Sequence, residues 1–335
     1  MDLTGRGIRL VLMVSFLSTR RRALHLACAC WTSPLFSAHA SEPPVRPAPS
    51  MPARVQRRVF RTSDGLKLSF LDSGKPLAPL QPQVSSESME PNTRPTLVLI
   101  PGWLMPAEVF THQVAEFACD HRVVVLDPRS QGQSALHVST QAERLARDRA
   151  RDIHELVEHL QLDDLVLIGW SLGVLECLDC IRLHGVTGLR GLALIDNSVG
   201  EGPAPAARAS RRPRTSAEFD TYIAGFVQAM IRHPEDEPIA QRVRQSALRL
   251  RRTPARAFEI LSKPWPRETY REAVYGVRQP VWYAITPRYR EQGQRLAEYH
   301  AGVRVTLYED ATHAIFIDQP ARFNADLRAF LESVS

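Results

Sequence analysis

Ser171 sits in Gly169-Trp170-Ser171-Leu172-Gly173, a G-x-S-x-G pentapeptide with a short apolar run before it (residues 165–168) and a helix-patterned segment after it (residues 174–183). Strand, sharp turn and helix in that order can lift a serine hydroxyl onto a strained bend, where it acts as a nucleophile. The flanking glycines fit this reading, because strand and helix pass close to each other at such a bend. A serine hydroxyl is a poor nucleophile at neutral pH, so it needs a base to take its proton and a carboxylate to hold that base. His313 is the candidate base. It lies in the loop Glu309-Asp310-Ala311-Thr312-His313, directly after an apolar run at residues 303–308. A loop at that end of a parallel strand faces the same rim of a sheet as the serine. His112, His121, His137, His154, His159, His184, His233 and His300 lack such a setting and read as surface or packing residues.

These residues need a scaffold. Short, almost wholly apolar runs at residues 96–100, 122–126, 165–168, 191–195, 281–285 and 303–308 read as strands buried on both faces. Helical patterns at 107–119, 142–160, 172–184, 287–299 and 321–333 separate them. Two further strands, 59–61 and 66–71, flank the turn Ser63-Asp64-Gly65. The alternation predicts an α/β fold: a mostly parallel twisted sheet of about eight strands with helices on both faces. Residues 199–279 carry four helical stretches (217–232, 239–250, 255–261 and 267–275) and read as a helical cap inserted after the sixth strand. The core is then residues 59–198 and 280–335. Residues 75–95, rich in Pro, Ser and Gln, read as a flexible insertion, and the proline-rich stretch 41–58 as an extended linker.

Residues 1–40 read as an export signal or N-terminal anchor. Arg20-Arg21-Arg22 precedes a moderately apolar stretch and an Ala38-His39-Ala40 cleavage-type site. Export to the periplasm or medium is the expectation, with a cytoplasmic or N-terminally anchored protein as the alternative. This segment holds five arginines and one aspartate, so the formal charge of +6 for the 335 residues belongs mostly to it. The remainder is close to neutral, which gives no case for nucleic acid binding. No apolar run reaches the ~20 residues of a spanning helix. Cys177 and Cys180 fall on one face of the helix after Ser171 and read as small core residues, and no metal-ligand spacing is present.

From about residue 59 onward the chain resembles the α/β-hydrolase superfamily. Four motifs carry the resemblance, in chain order: Pro101-Gly102-Trp103, Asp127-Pro128-Arg129-Ser130-Gln131-Gly132-Gln133-Ser134, the pentapeptide around Ser171, and His313 followed by Asp318-Gln319-Pro320. The resemblance implies a serine hydrolase, with a carboxylic ester hydrolase working through an acyl-enzyme as the leading expectation. It needs no cofactor and takes a small-molecule ester. The elbow also resembles pimeloyl carrier-protein methyl esterases and cofactor-free haloperoxidases. A perhydrolase-like enzyme and a non-enzymatic ligand-binding protein of the same fold are therefore the alternatives. The implied oxyanion donors are the backbone amides of Trp103 and Leu172. Trp103 and Trp170 read equally as walls of the substrate pocket or as core. Asp127 and Arg129 read as structural, and Asp318 as a cap for the last helix.

Two departures from the family pattern stand out. Pro101-Gly102 replaces the frequent His-Gly, which leaves a backbone donor intact. No acid follows residues 281–285, where many members carry one; the chain there reads Thr286-Pro287-Arg288-Tyr289. Some members take the acid from the end of the preceding strand, which here is Asp196. Ser171, Asp196 and His313 then fall in the order Ser-Asp-His. Glu291 and Asp310 are the other candidate carboxylates.

Overall fold

The computed structural model describes residues 50–75, 94–137, 141–202, 212–234, 237–261 and 264–334. The export segment 1–40, the first half of the linker 41–58 and nearly all of the insertion 75–95 lie outside the described residues. Eight strands form one sheet: β1 (Gln56–Arg61), β2 (Lys67–Asp72), β3 (Thr96–Ile100), β4 (Val123–Leu126), β5 (Leu165–Trp170), β6 (Leu189–Ile195), β7 (Val281–Ile285) and β8 (Val303–Leu307). Their spatial order is β1-β2-β4-β3-β5-β6-β7-β8. β1 and β2 pair antiparallel with each other, and β2 pairs antiparallel with β4. Every other pairing is parallel.

The central strands are apolar because both of their faces are covered. Residues of β4, β5 and β7 are buried throughout. Helices α1 (Thr111–Phe117), α2 (Ala142–His159), α3 (Leu172–His184), α8 (Arg290–Tyr299), α9 (Ile315–Asp318) and α10 (Pro320–Glu332) belong to this core. Between β6 and β7 the chain leaves the sheet and forms α4 (Ser216–Met230), α5 (Pro238–Leu248), α6 (Pro254–Ile260) and α7 (Arg267–Tyr275). This is the helical cap after the sixth strand. α4 opens with a capping box between Thr215 and Glu218, and α5 and α6 each open with proline.

Three local differences from the sequence reading have simple causes. β1 begins at Gln56, inside the expected linker, because it is an edge strand exposed along most of its length and its pattern is too polar to stand out. The expected helix 107–119 is a 3₁₀ turn (Ala107–Phe110) followed by α1. Its first amide, Ala107 N–H, is drawn to the Asp127 carboxylate at 2.6 Å. Residues 287–299 divide likewise into a 3₁₀ turn (Pro287–Tyr289) and α8.

Candidate active site

Ser171 lies between β5 and α3 with φ 54° and ψ −120°, a conformation that L-residues seldom adopt. Close approach of the two elements explains the glycines on either side. A Cβ at Gly169 would stand 2.9 Å from Cys177 Sγ and 2.5 Å from the Gly173 carbonyl oxygen. A Cβ at Gly173 would strike the Ile100 carbonyl and lie 2.9 Å from that of Pro101. The bend is also held from outside. Ser171 N–H donates to the Ile195 carbonyl at 2.9 Å, and Asn197 Nδ2 donates to the Ser171 carbonyl at 2.6 Å. The thirteen-residue α3 starts at Leu172, so the unpaired amides and positive dipole end of a helix face the hydroxyl.

His313 and Asp196 complete a continuous line. His313 Nε2 is 2.8 Å from Ser171 Oγ, and Nδ1 is 2.7 Å from Asp196 Oδ2. The carboxylate can only accept, so Nδ1 carries the proton and Nε2 offers its lone pair to the serine hydroxyl. The Asp196 side chain is 2% exposed and that of His313 28%, so the acid is sealed while the base reaches solvent. Asp196 Oδ1 accepts two bonds from one residue, Thr286: its N–H at 2.8 Å and its Oγ1 at 2.7 Å. The other candidate carboxylates lie elsewhere. Glu291 is exposed on α8 and faces Arg295, and Asp310 is exposed with its carbonyl turned to Arg232.

The loop after β3 runs beside the serine. A Cβ at Gly102 would come within 2.9 Å of Ser171 Cβ. Gln131 holds this loop from both sides, accepting Leu104 N–H at 2.5 Å and donating to the Gly102 carbonyl at 3.1 Å. Leu104 takes the left-handed conformation, with φ 61°. Deeper still, Asp127 accepts from Ala107 and Gln133 amides and from Arg57. Arg129 makes a two-pronged contact with Asp152 (2.6 and 2.5 Å). Burial disfavours the guanidinium's charge, but Asp152, Asp64 and Asp148 hold it firmly protonated. Both residues brace loops rather than face the serine.

The tryptophans separate in role. Trp103 packs its ring against Tyr222, Phe226 and Phe258 of the cap and donates Nε1–H to the Ala257 carbonyl at 2.6 Å. Trp170 has no exposed surface. Its indole donates to the His313 carbonyl at 3.0 Å and packs edge-on against Phe110 and Phe316. Of the two readings of Trp170, pocket wall or core, its burial corrects the first: it is a support beneath the His313 loop. Asp318 is corrected too. It accepts from Thr312 N–H (2.6 Å) and Arg232 N–H (2.8 Å), while α10 starts at Gln319-Pro320 without a side-chain cap. Thr286 and Gln131 were not singled out by sequence reading. Gln131 lay within a recognised motif, whereas Thr286 stood where an acid was sought and missed.

Cys177 and Cys180 are free and buried, and desolvation drives both thiols up, that of Cys180 to about 12. A narrow cleft lies between α2, α3 and the cap; Leu145, Leu172, Leu175, Ile260 and Pro264 line it together with the charged Arg149, Glu176 and Asp179.

Residues 97–326 match the family model described as the alpha/beta hydrolase family. The chain belongs to the alpha/beta hydrolase family. Solved structures agree on the fold. The esterase RhEst1 from Rhodococcus sp. ECU1013 is 19% identical with a TM-score of 0.67, over 84% of this chain and 100% of that one. A hydrolase from Pseudomonas aeruginosa PA01 is 21% identical with a TM-score of 0.59, over 82% and 98%. A bromoperoxidase from Bacillus anthracis is 16% identical with a TM-score of 0.60, over 83% and 100%. Among the described residues no helix is long and apolar enough to cross a membrane.

Proposed function

We propose that this hydrolase cleaves carboxylic esters through an acyl-enzyme on Ser171. The hydrogen-bonded line Ser171–His313–Asp196, with Ser171 raised on a φ 54° bend, is the observation that carries the reading. Ser171 Oγ attacks the ester carbonyl carbon while His313 Nε2 takes its proton. Asp196 holds the Nδ1–H tautomer and offsets the charge of the imidazolium. The carbonyl oxygen becomes an oxyanion facing the amides of Trp103 and Leu172, which donate to it. His313 then returns the proton to the departing alcohol oxygen. Water enters, gives a proton to the same nitrogen and attacks the acyl carbon; the bond to Oγ breaks, that proton returns to Ser171 Oγ, and the carboxylic acid leaves.

The aromatic cap side chains Tyr222, Phe226 and Phe258, packed on Trp103 in the loop beside Ser171, favour an ester with a small or medium apolar part over a charged one. The N-terminal arginines and Ala38-His39-Ala40 support action outside the cytoplasm.

The test is a fluorophosphonate probe with a panel of p-nitrophenyl esters of rising acyl length. Labelling should map to Ser171, and Ser171→Ala should abolish both labelling and turnover. Folded protein that neither labels nor hydrolyses any ester would refute the proposal and favour a ligand-binding role. Labelling with peroxide-dependent oxidation but no hydrolysis would move it to perhydrolase chemistry.

A further inference from the structure

Asp196 is an unusual place to hold a carboxylate. Its backbone is left-handed, with φ 47°, and its side chain is almost wholly buried. Its N–H donates to the Ala284 carbonyl at 2.9 Å, which docks the end of β6 onto β7. The register Ile195↔Ala284 puts residue 196 level with residue 285, next to Thr286. A buried carboxylate oxygen without donors is costly, and a carboxylate free to turn about its last torsion cannot hold an imidazole in one orientation. Among the described residues, both hydrogen bonds to Oδ1 come from Thr286, one from its amide and one from its hydroxyl. They approach the oxygen facing away from His313, which leaves Oδ2 for Nδ1.

We infer that Thr286 is a positioning residue that locks the Asp196 carboxylate in the orientation His313 requires. The inference rests on the proposed Ser171–His313–Asp196 chemistry. The amide donor survives any side-chain change except proline, so the hydroxyl is the part a substitution can test. Thr286 is 7% exposed, and valine fills nearly the same volume without the donor.

The experiment compares Thr286→Val, Thr286→Ala and Thr286→Ser with wild type and Asp196→Asn. It uses ester kinetics, thermal melting and the proton NMR signal of the His313 Nδ1–H bond. Loss of one hydrogen bond to a charged group should lower kcat about tenfold in the valine and alanine variants, with KM little changed. Serine should restore most of the rate. The Nδ1–H resonance should shift or broaden in the valine variant and return in the serine variant, which loss of packing alone would not produce. If the valine variant does not fold, the alanine and serine pair carries the same comparison. Asp196→Asn collapsing while Thr286→Val keeps its rate and its resonance would overturn the inference. A serine variant as impaired as valine would also overturn it, because the methyl group would then be what matters. If Asp196→Asn itself left turnover intact, the underlying chemistry would fail instead.

Discussion

Replacing Asp196 with asparagine should do more harm than loss of a charge alone suggests, and the surroundings of the carboxylate say why. Oδ1 accepts two bonds from Thr286, at 2.8 and 2.7 Å. An asparagine NH₂ group cannot accept, so the amide oxygen must keep that position. The NH₂ is thereby forced into the place of Oδ2, 2.7 Å from His313 Nδ1. Two N–H groups cannot face each other there, so Nδ1 gives up its proton and accepts. The proton moves to Nε2, which faces Ser171 Oγ at 2.8 Å. Nε2 then has no lone pair to take the serine proton, and the base is lost with every atom near its original position. Locking the wrong tautomer in such a triad costs about 10⁴-fold in kcat, or about 5.4 kcal/mol of transition-state stabilisation. The assay is steady-state hydrolysis of a p-nitrophenyl ester, with the fluorophosphonate labelling rate as a second readout. Wild-type-like melting would show that the variant folds. A folded Asp196→Asn protein within a few-fold of wild type on both readouts would refute the reasoning.

Other outcomes follow from single contacts. Gly102→Ala places a Cβ 2.9 Å from Ser171 Cβ and 3.4 Å from Oγ, and a displacement approaching 1 Å there should cost up to about 100-fold in kcat; ester kinetics indistinguishable from wild type would count against the close packing of this loop. Burial works to raise the Asp64 carboxyl, but the Thr62 hydroxyl and Arg129 outweigh it and bring it from 3.8 to about 2. A depressed folded value means this stabilisation is complete above the ordinary value and is lost as pH falls from about 4 towards 2, so Asp64→Asn should flatten acid melting curves in that window. Cys177 and Cys180 should resist maleimide in the native protein, because burial keeps both thiols protonated; mass spectrometry finding them modified, or bridged to each other, would contradict this placement.

Legibility from the sequence followed the range of the interaction. The central strands and the helices beside them announce themselves through local pattern, and eight strands with a cap after the sixth are what that pattern implies. The elbow is equally local: five residues between an apolar run and a helix. Contacts joining distant segments leave no such trace. The bond from Thr286 to Asp196 spans 90 positions and that from Leu104 to Gln131 spans 27, and neither threonine nor glutamine carries a pattern that marks it. Asp318 misled for a related reason. An aspartate just before Gln319-Pro320 looks like a helix cap in sequence, yet its oxygens turn back to Thr312 and across to Arg232. Trp170 beside the nucleophile reads equally as pocket or core in sequence; consecutive side chains on a buried strand point to opposite faces, and its face is the one under His313.

The cap is wired into the site rather than laid over it. α4 ends at Met230, whose carbonyl accepts from Ala314 N–H at 2.9 Å and lies 2.5 Å from Thr312 Oγ1. Those two residues bracket His313. Asp318 ties Thr312 to the Arg232 amide, and the Arg232 guanidinium reaches the Asp310 carbonyl. On the opposite side of the serine, Trp103 Nε1–H is bonded to the Ala257 carbonyl of α6. The base loop and the loop beside Ser171 are thus each fastened to a cap helix, at α4 and α6. A shift of α4 relative to the sheet must either break several hydrogen bonds or carry the His313 loop with it. The distance from Nε2 to Oγ therefore depends on where the cap sits. On the proposed chemistry, substitutions in the apolar faces of α4 and α6, far from Ser171 and His313 in sequence, should change turnover through these bonds.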